Sequence, residues 1–363
     1  MTAPPKSHDY LPVLDGLRAV AILLVIFSHA GFEHIVPGGL GVGIFFVISG
    51  FLLTRQMINE IEKTGQLNIS RFYLRRFLRL APALLFYLGL ICPILLLMGS
   101  PITWVHILSG LSYFANYYHI FVGYPDHSPM PILWSLSVEE HFYLLFPLAL
   151  VVFRKNLQGI MPWLFIAVTA VLIWRYALFT SCQETPWALC GLTGKERFFG
   201  TDTIFDCILY GSITAIGMHY WQDRVRRFFI NPTSFMLAAI ILLFSLIYRN
   251  DLFRETLRFT LQSMSIAVVM LNILFGQWGG PKTILSHSIL LLIGRMSYSL
   301  YLFHYGALAL VDMATHHTGT GLTSPTALAS YFLLTLILSA ASNQLIEKPM
   351  IAVRKKYGGH PAG

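Results

Sequence analysis

The stretch GLRAVAILLVIFSHAG, residues 16–31, decides the fold. It is apolar enough for a bilayer, where about 20 such residues make a crossing helix, yet it carries Arg18 and His29. Lipid offers an ionisable side chain neither water nor a partner, so such a residue at membrane depth is by default a functional one. On a helix, a spacing of eleven residues amounts to three turns plus about 20°, which sets Arg18 and His29 on one face about 16 Å apart. They are placed to line one cavity at two depths. Asp15, three residues before Arg18, stands at the spacing of a helical ion pair, and that pairing would make the arginine structural instead. The sequence leaves both readings open.

Outward from this stretch the pattern repeats. The chain has 363 residues, 55% hydrophobic and only 12% charged, against roughly 25% charged in soluble domains, and a mean hydropathy of +0.64. An all-α, polytopic integral membrane protein with about ten transmembrane helices is expected, with spans near 12–31, 37–57, 79–99, 134–153, 160–179, 203–220, 233–248, 258–276, 290–312 and 326–345. The aromatic segment 102–121, with Trp104, Tyr113, Phe114, Tyr117 and Tyr118, is read as lying at or dipping into the outer surface. That choice gathers most Lys and Arg on one side, and the excess sets both termini in the cytoplasm. Residues 1–11 and 346–363 are then cytoplasmic tails, the first read as mature chain rather than a signal peptide. Residues 12–345 form one membrane domain without internal repeats. The net charge of +8 lies in short loops rather than on a basic stripe, so no nucleic acid is expected as a partner. Cys182 and Cys190 share an outer loop and are candidates for a disulfide. The scattered histidines show no metal-binding spacing, and no metal is expected.

Further polar residues sit inside the spans. GGLGVGIFFVISGFLLT (38–54) contains Ser49 and a G-x-x-x-G pair, Gly39 and Gly43, a pattern of close helix packing. RFYLRRFLRLAP (71–82) places Arg71, Arg75 and Arg79 on one helical face. Such a run serves anionic lipid headgroups or a phosphate-rich ligand, which arginine forks suit. In PILWSLSVEEHFYLLFP (131–147), Ser135, Glu139 and Tyr143 form a polar stripe. With Glu139 near the outer end of its span, a pairing with His29 would make a proton-transfer couple. GRMSYSLYLFHYGALAL (294–310) aligns Tyr298, Tyr301 and either His304 or Tyr305, a stripe that lines a tunnel or packs a helix. Glu347, in the terminal IEKP, is a candidate partner for Arg295 or the cytoplasmic arginines. Arg18, His29 and Glu139 would also serve a proton-coupled transporter or flippase, although inverted repeats and paired broken helices are not evident.

Seven motifs in order from Leu14 to Pro349, those quoted above together with DCILYG (206–211), resemble the acyltransferase 3 family of membrane O-acyltransferases. The resemblance implies a multi-pass protein of the cytoplasmic (inner) membrane, in the form without the extra soluble SGNH-type domain. Its implied reaction moves an acyl group, usually acetyl, from acyl-CoA (acetyl-CoA) as co-substrate to a hydroxyl of a cell-surface glycan, a lipid-linked sugar or a small molecule. No permanently bound cofactor is implied. By the same resemblance His29 is the catalytic histidine, with Arg18 its motif partner and Glu139 in the S-L-x-x-E motif. Arg75, Arg76 and Arg79, with Ser49, are assigned to the donor. Ser135, Tyr143, Asp206, Tyr298, Tyr301 and His304 are assigned to the tunnel and acceptor. The chain departs from the family pattern at Ile204, commonly arginine, and His141, commonly glutamine. A general-base role for neutral His29, with Glu139 orienting it or stabilising its protonated form, is the expected mechanism, and an acyl-histidine intermediate is the competing route.

Overall fold

The computed structural model describes residues 10–184, 199–316 and 324–357, and these are helical nearly throughout, with no strand among them. The first helix, α1 (Pro12–Phe27), starts on a proline, which suits a first turn because its missing N–H has no intrahelical partner to lose. It runs into a wider π-type turn, Ser28–Phe32, that ends where Gly31 adopts φ +95°, a left-handed conformation costly for residues with a Cβ. Next come α2 (Gly38–Thr64) and α3 (Ile69–Leu97). Asn68 caps α3 by accepting from the Arg71 amide.

The segment 102–121 forms α4 (Trp104–Leu111) and α5 (Ala115–Phe121). At eight and seven residues each reaches only about 12 Å, far short of the roughly 30 Å hydrocarbon core, so neither crosses. The chain then dives inward. Met130 and Leu133 are fully buried, and Tyr87, from the middle of α3, donates to the Pro129 carbonyl at 2.9 Å. Helix α6 (Trp134–Val152) therefore begins inside the bundle rather than at its surface.

The remainder comprises α7 (Met161–Glu184), α8 (Thr201–Tyr220), the bent pair α9 (Gln222–Phe229) and α10 (Pro232–Ile247), α11 (Asp251–Glu255), α12 (Leu257–Phe275), α13 (Gly279–Leu285), α14 (Ser288–Arg295), α15 (Ser297–His316), α16 (Pro325–Ser342) and α17 (Lys348–Lys356). Seven helices among the described residues are long and apolar enough to cross a membrane, or eight if the bent pair counts as one. Helices α8 and α15 have twenty residues each, about 30 Å of rise, but carry more polar side chains. Each of the ten expected spans thus corresponds to a helical stretch. The expected tail from 346 does not leave the bundle at once, because α17 continues the chain and buries Arg354.

Inside lipid, apolar contact alone does not hold helices together, so close backbone approach through small residues does much of that work. A Cβ on Gly50 of α2 would lie 2.0 Å from the Ile208 carbonyl oxygen, and one on Gly211 of α8 would lie 2.2 Å from that of Val47. These two glycines bring α2 and α8 into their closest contact. The expected Gly39 and Gly43 pair does not do this. A Cβ on Gly39 would meet nothing within 4 Å, and one on Gly43 only Ile266 at 3.5 Å, because the partner helices meet a different face of α2.

Candidate active site

Helices α1, α2, α3, α6 and α15 surround a cavity lined by Arg18, Ser49, Arg79, Ser135, Glu139, Tyr143, Tyr298 and Tyr301, with Phe45 and Phe46 among its apolar walls. Glu139 is the acceptor at its centre. Ser49 donates to one carboxylate oxygen at 3.0 Å and Tyr143 to the other at 2.8 Å. Ser135 and Tyr301 are hydrogen-bonded at 2.5 Å, and Tyr301 donates to the Ile132 carbonyl. Tyr298 donates to the Leu80 carbonyl at 2.8 Å, which fixes its ring at the wall. Seven sequence-predicted residues from the catalytic, donor and tunnel sets thus share one site with Arg79.

The arginines of this site differ in how far the protein already holds them. Arg18 pairs with Asp15 at 3.3 Å, and Asp15 also accepts from Tyr10 at 2.5 Å and lies 3.8 Å from Arg295. Arg75 pairs with Glu60 at 3.2 Å. Arg76 donates to Gln56 and lies over the rings of Phe72 and Tyr143. Arg79 makes no hydrogen bond or ion pair among the described residues and faces the cavity. Arg354, read from sequence as part of a basic tail, instead stands in the electrostatic field of Arg75, Arg79 and Glu347. Glu347 accepts from Ser299, while Arg295, its expected partner, goes to Tyr10 at 3.1 Å.

His29 stands apart from Glu139. Its Nδ1 lies 2.9 Å from the Val25 carbonyl oxygen, an acceptor, so this nitrogen carries the proton and Nε2 keeps a free lone pair. Its ring abuts His304, with centroids 5.2 Å apart, and Tyr305 edge-on at 5.4 Å. The expected meeting of His29 with Glu139 does not occur. Because α6 starts inside the bundle, Glu139 reaches the depth of Arg18 and Arg79, one helical face but about 16 Å along α1 from His29. His304 also lies beside Tyr301, at 5.7 Å between centroids, and Tyr301 lines the cavity.

Asp206 does not line the cavity. It is fully buried, paired with Arg175 at 2.5 Å and accepting from Thr260 at 2.7 Å, while Arg175 also donates to the Thr256 carbonyl. This network ties α7, α8 and α12 together. His141 hydrogen-bonds Thr201 at 2.6 Å and Ile204 is buried apolar surface. Cys182 lies near the C-terminal end of α7, and the pairing with Cys190 lies outside the described residues.

With this geometry in view, a family model described as an acyltransferase domain matches residues 11–343. The chain belongs to the acyltransferase 3 family. The family's relatives include the peptidoglycan O-acetyltransferase OatA of Listeria monocytogenes, 30% identical over 328 residues, which cover 84% of this chain and 50% of the relative. The O-acetyltransferase OatA of Staphylococcus aureus is 31% identical over 381 residues, covering 96% of this chain and 58% of the relative. The chain thus spans about half the length of the curated relatives it matches. No solved structure matches it.

Proposed function

We propose that the protein is a membrane O-acyltransferase that moves an acetyl group from acetyl-CoA to a hydroxyl of a cell-surface glycan or lipid-linked sugar. The observation that carries this reading is the state of His29: one nitrogen is committed to a backbone carbonyl and the other is a free base. It is connected through His304 and Tyr301 to a cavity holding an uncommitted arginine. Family membership supports the class of reaction, and the names of its O-acetyltransferase relatives support acetyl transfer to a hydroxyl.

In this mechanism the anionic nucleotide end of the donor meets Arg79, with Arg75, Arg76 and Arg354 adding positive potential around it. Ser49 and Tyr143, both held by Glu139, shape the wall along which the pantetheine arm extends. The acceptor hydroxyl oxygen attacks the thioester carbon while His29 Nε2 takes its proton. A carbon–oxygen bond forms and the carbon–sulfur bond breaks. The CoA sulfur leaves as thiolate and receives that proton from His29, restoring the neutral base. Glu139 serves the donor wall rather than the histidine, a revision of the role expected from sequence.

The excess of Lys and Arg at the arginine end supports an orientation with that end and both termini in the cytoplasm, where acetyl-CoA is found, in a cytoplasmic (inner) membrane. The test is release of free CoA from acetyl-CoA by the purified protein, wild type beside His29→Ala. Release that vanishes in the variant while CoA still binds supports the assignment. Equal release by both would remove His29 from the chemistry. Absence of CoA binding to either would favour proton-coupled transport through the same residues.

A further inference from the structure

His304 is a buried titratable group that this mechanism leaves unused. It is fully buried on α15, its Nδ1 lies 3.1 Å from the Leu300 carbonyl oxygen, and its Nε2 has no hydrogen-bond partner. A buried acceptor without a donor costs free energy and calls for an explanation. His29 is built the same way, each imidazole tied through Nδ1 to the carbonyl four residues earlier on its own helix. Each therefore keeps a lone pair on Nε2. Two lone pairs cannot bond one another, and a single proton is what would join them.

The ring separation fits such a bond. An N–H···N hydrogen bond of about 3 Å, between rings whose nitrogens lie about 1.1 Å from their centres, puts the centroids about 5 Å apart. The observed value is 5.2 Å.

We propose that His304 is a positioning residue for the acyl transfer: its Nε2 is a second acceptor, beside the substrate oxygen, for the hydrogen that His29 Nε2 takes from the acceptor hydroxyl, so that this three-centre hydrogen bond stabilises the imidazolium. The inference rests on the acyltransferase reading above. The proton is shared while the thioester breaks and then goes to the departing sulfur from His29, so no further reactant is needed. Tyr301 and Tyr305 on α15, Glu33 beyond the π-type turn, and Tyr331 on α16, which donates to the Ile26 carbonyl, are the other titratable groups around the pair. Of these four, Tyr305 also sets its ring against His29, but the oxygen of a neutral phenol is a far weaker acceptor than an imidazole nitrogen.

The test compares wild type with His304→Phe, which keeps an aromatic ring and removes the acceptor, and His304→Gln, whose amide oxygen can reach the position of Nε2. Turnover and its pH dependence are followed by CoA release, with CoA binding measured separately. His304→Phe is expected to lose about tenfold in kcat with donor KM unchanged. Its acidic limb should move about one unit to lower pH, because an imidazolium deprived of its acceptor gives up the proton more readily. His304→Gln should recover most of both effects. An unmoved limb in His304→Phe, a limb displaced upward, or equal loss in both variants with CoA binding intact would overturn the proposal. Failure of the underlying reading looks different, since there wild type releases no CoA or His29→Ala releases it normally.

Discussion

Arg79 is the arginine of the cavity that its neighbours leave uncommitted, whereas Arg75 already has Glu60 and Arg76 has Gln56 and two aromatic rings. A guanidinium with no protein partner at the proposed donor cavity is free to bond a phosphate, and one charge-assisted hydrogen bond is worth about 1.5–3 kcal/mol. Arg79→Ala should therefore raise the KM for acetyl-CoA about tenfold or more and leave kcat nearly unchanged, whereas Arg75→Ala should raise it less. Initial-rate kinetics of CoA release check both, and an unaltered KM in Arg79→Ala would remove it from the donor site. At this scale the sequence showed the pairing of Asp15 with Arg18, because helical spacing brings them together. It did not show Tyr10 and Arg295 completing that cluster, since the two are 285 positions apart and meet only through the tertiary fold. Arg175 as the partner of Asp206 was hidden for the same reason.

Helices α2 and α8 meet so closely at Gly50 and Gly211 that backbone stands where a side chain would begin. Carbonyl groups in a helix cannot retreat as a flexible side chain can, so Gly211→Ala is expected to destabilise the protein by about 1–3 kcal/mol through overpacking. Thermal unfolding in detergent should show a lowered Tm for Gly211→Ala and for Gly50→Ala, and none for Gly39→Ala, where the added methyl meets open space. Equal behaviour of all three would refute the assigned helix contact. The span positions were legible because hydrophobic runs of bilayer length leave few alternatives. Which glycines pack was not, because G-x-x-x-G spacing fixes a face of the helix while the neighbours decide which face they meet. The depth of α6 was misread for a related reason: a polar stripe beside an outer loop looks interfacial until the burial of Met130 and Leu133 shows the loop descending into the bundle.

Across the whole molecule the two candidate chemistries are separated along α1, with the cavity's arginines toward one end of the helix and the imidazole toward the other. Such a division suits a donor that stays on one side of a membrane while its acyl end is presented toward the opposite side. It also makes orientation decisive, because an arginine cavity facing away from the cytoplasm would not meet cytosolic acetyl-CoA. Gln66, in the turn between α2 and α3, and Glu33, after the π-type turn of α1, are both exposed and lie at opposite ends of α2, about 40 Å apart by its 27-residue rise. In intact cells a membrane-impermeant maleimide should label Glu33→Cys, while Gln66→Cys should react only after permeabilisation; Cys92 and Cys207 are buried and should contribute little background. Labelling in the opposite sense would reverse the protein in its membrane. The cluster of Arg75, Arg76, Arg79 and Arg354 would then face the acceptor's compartment, and the assignment of these residues to CoA would fall while the geometry around His29 stayed as described.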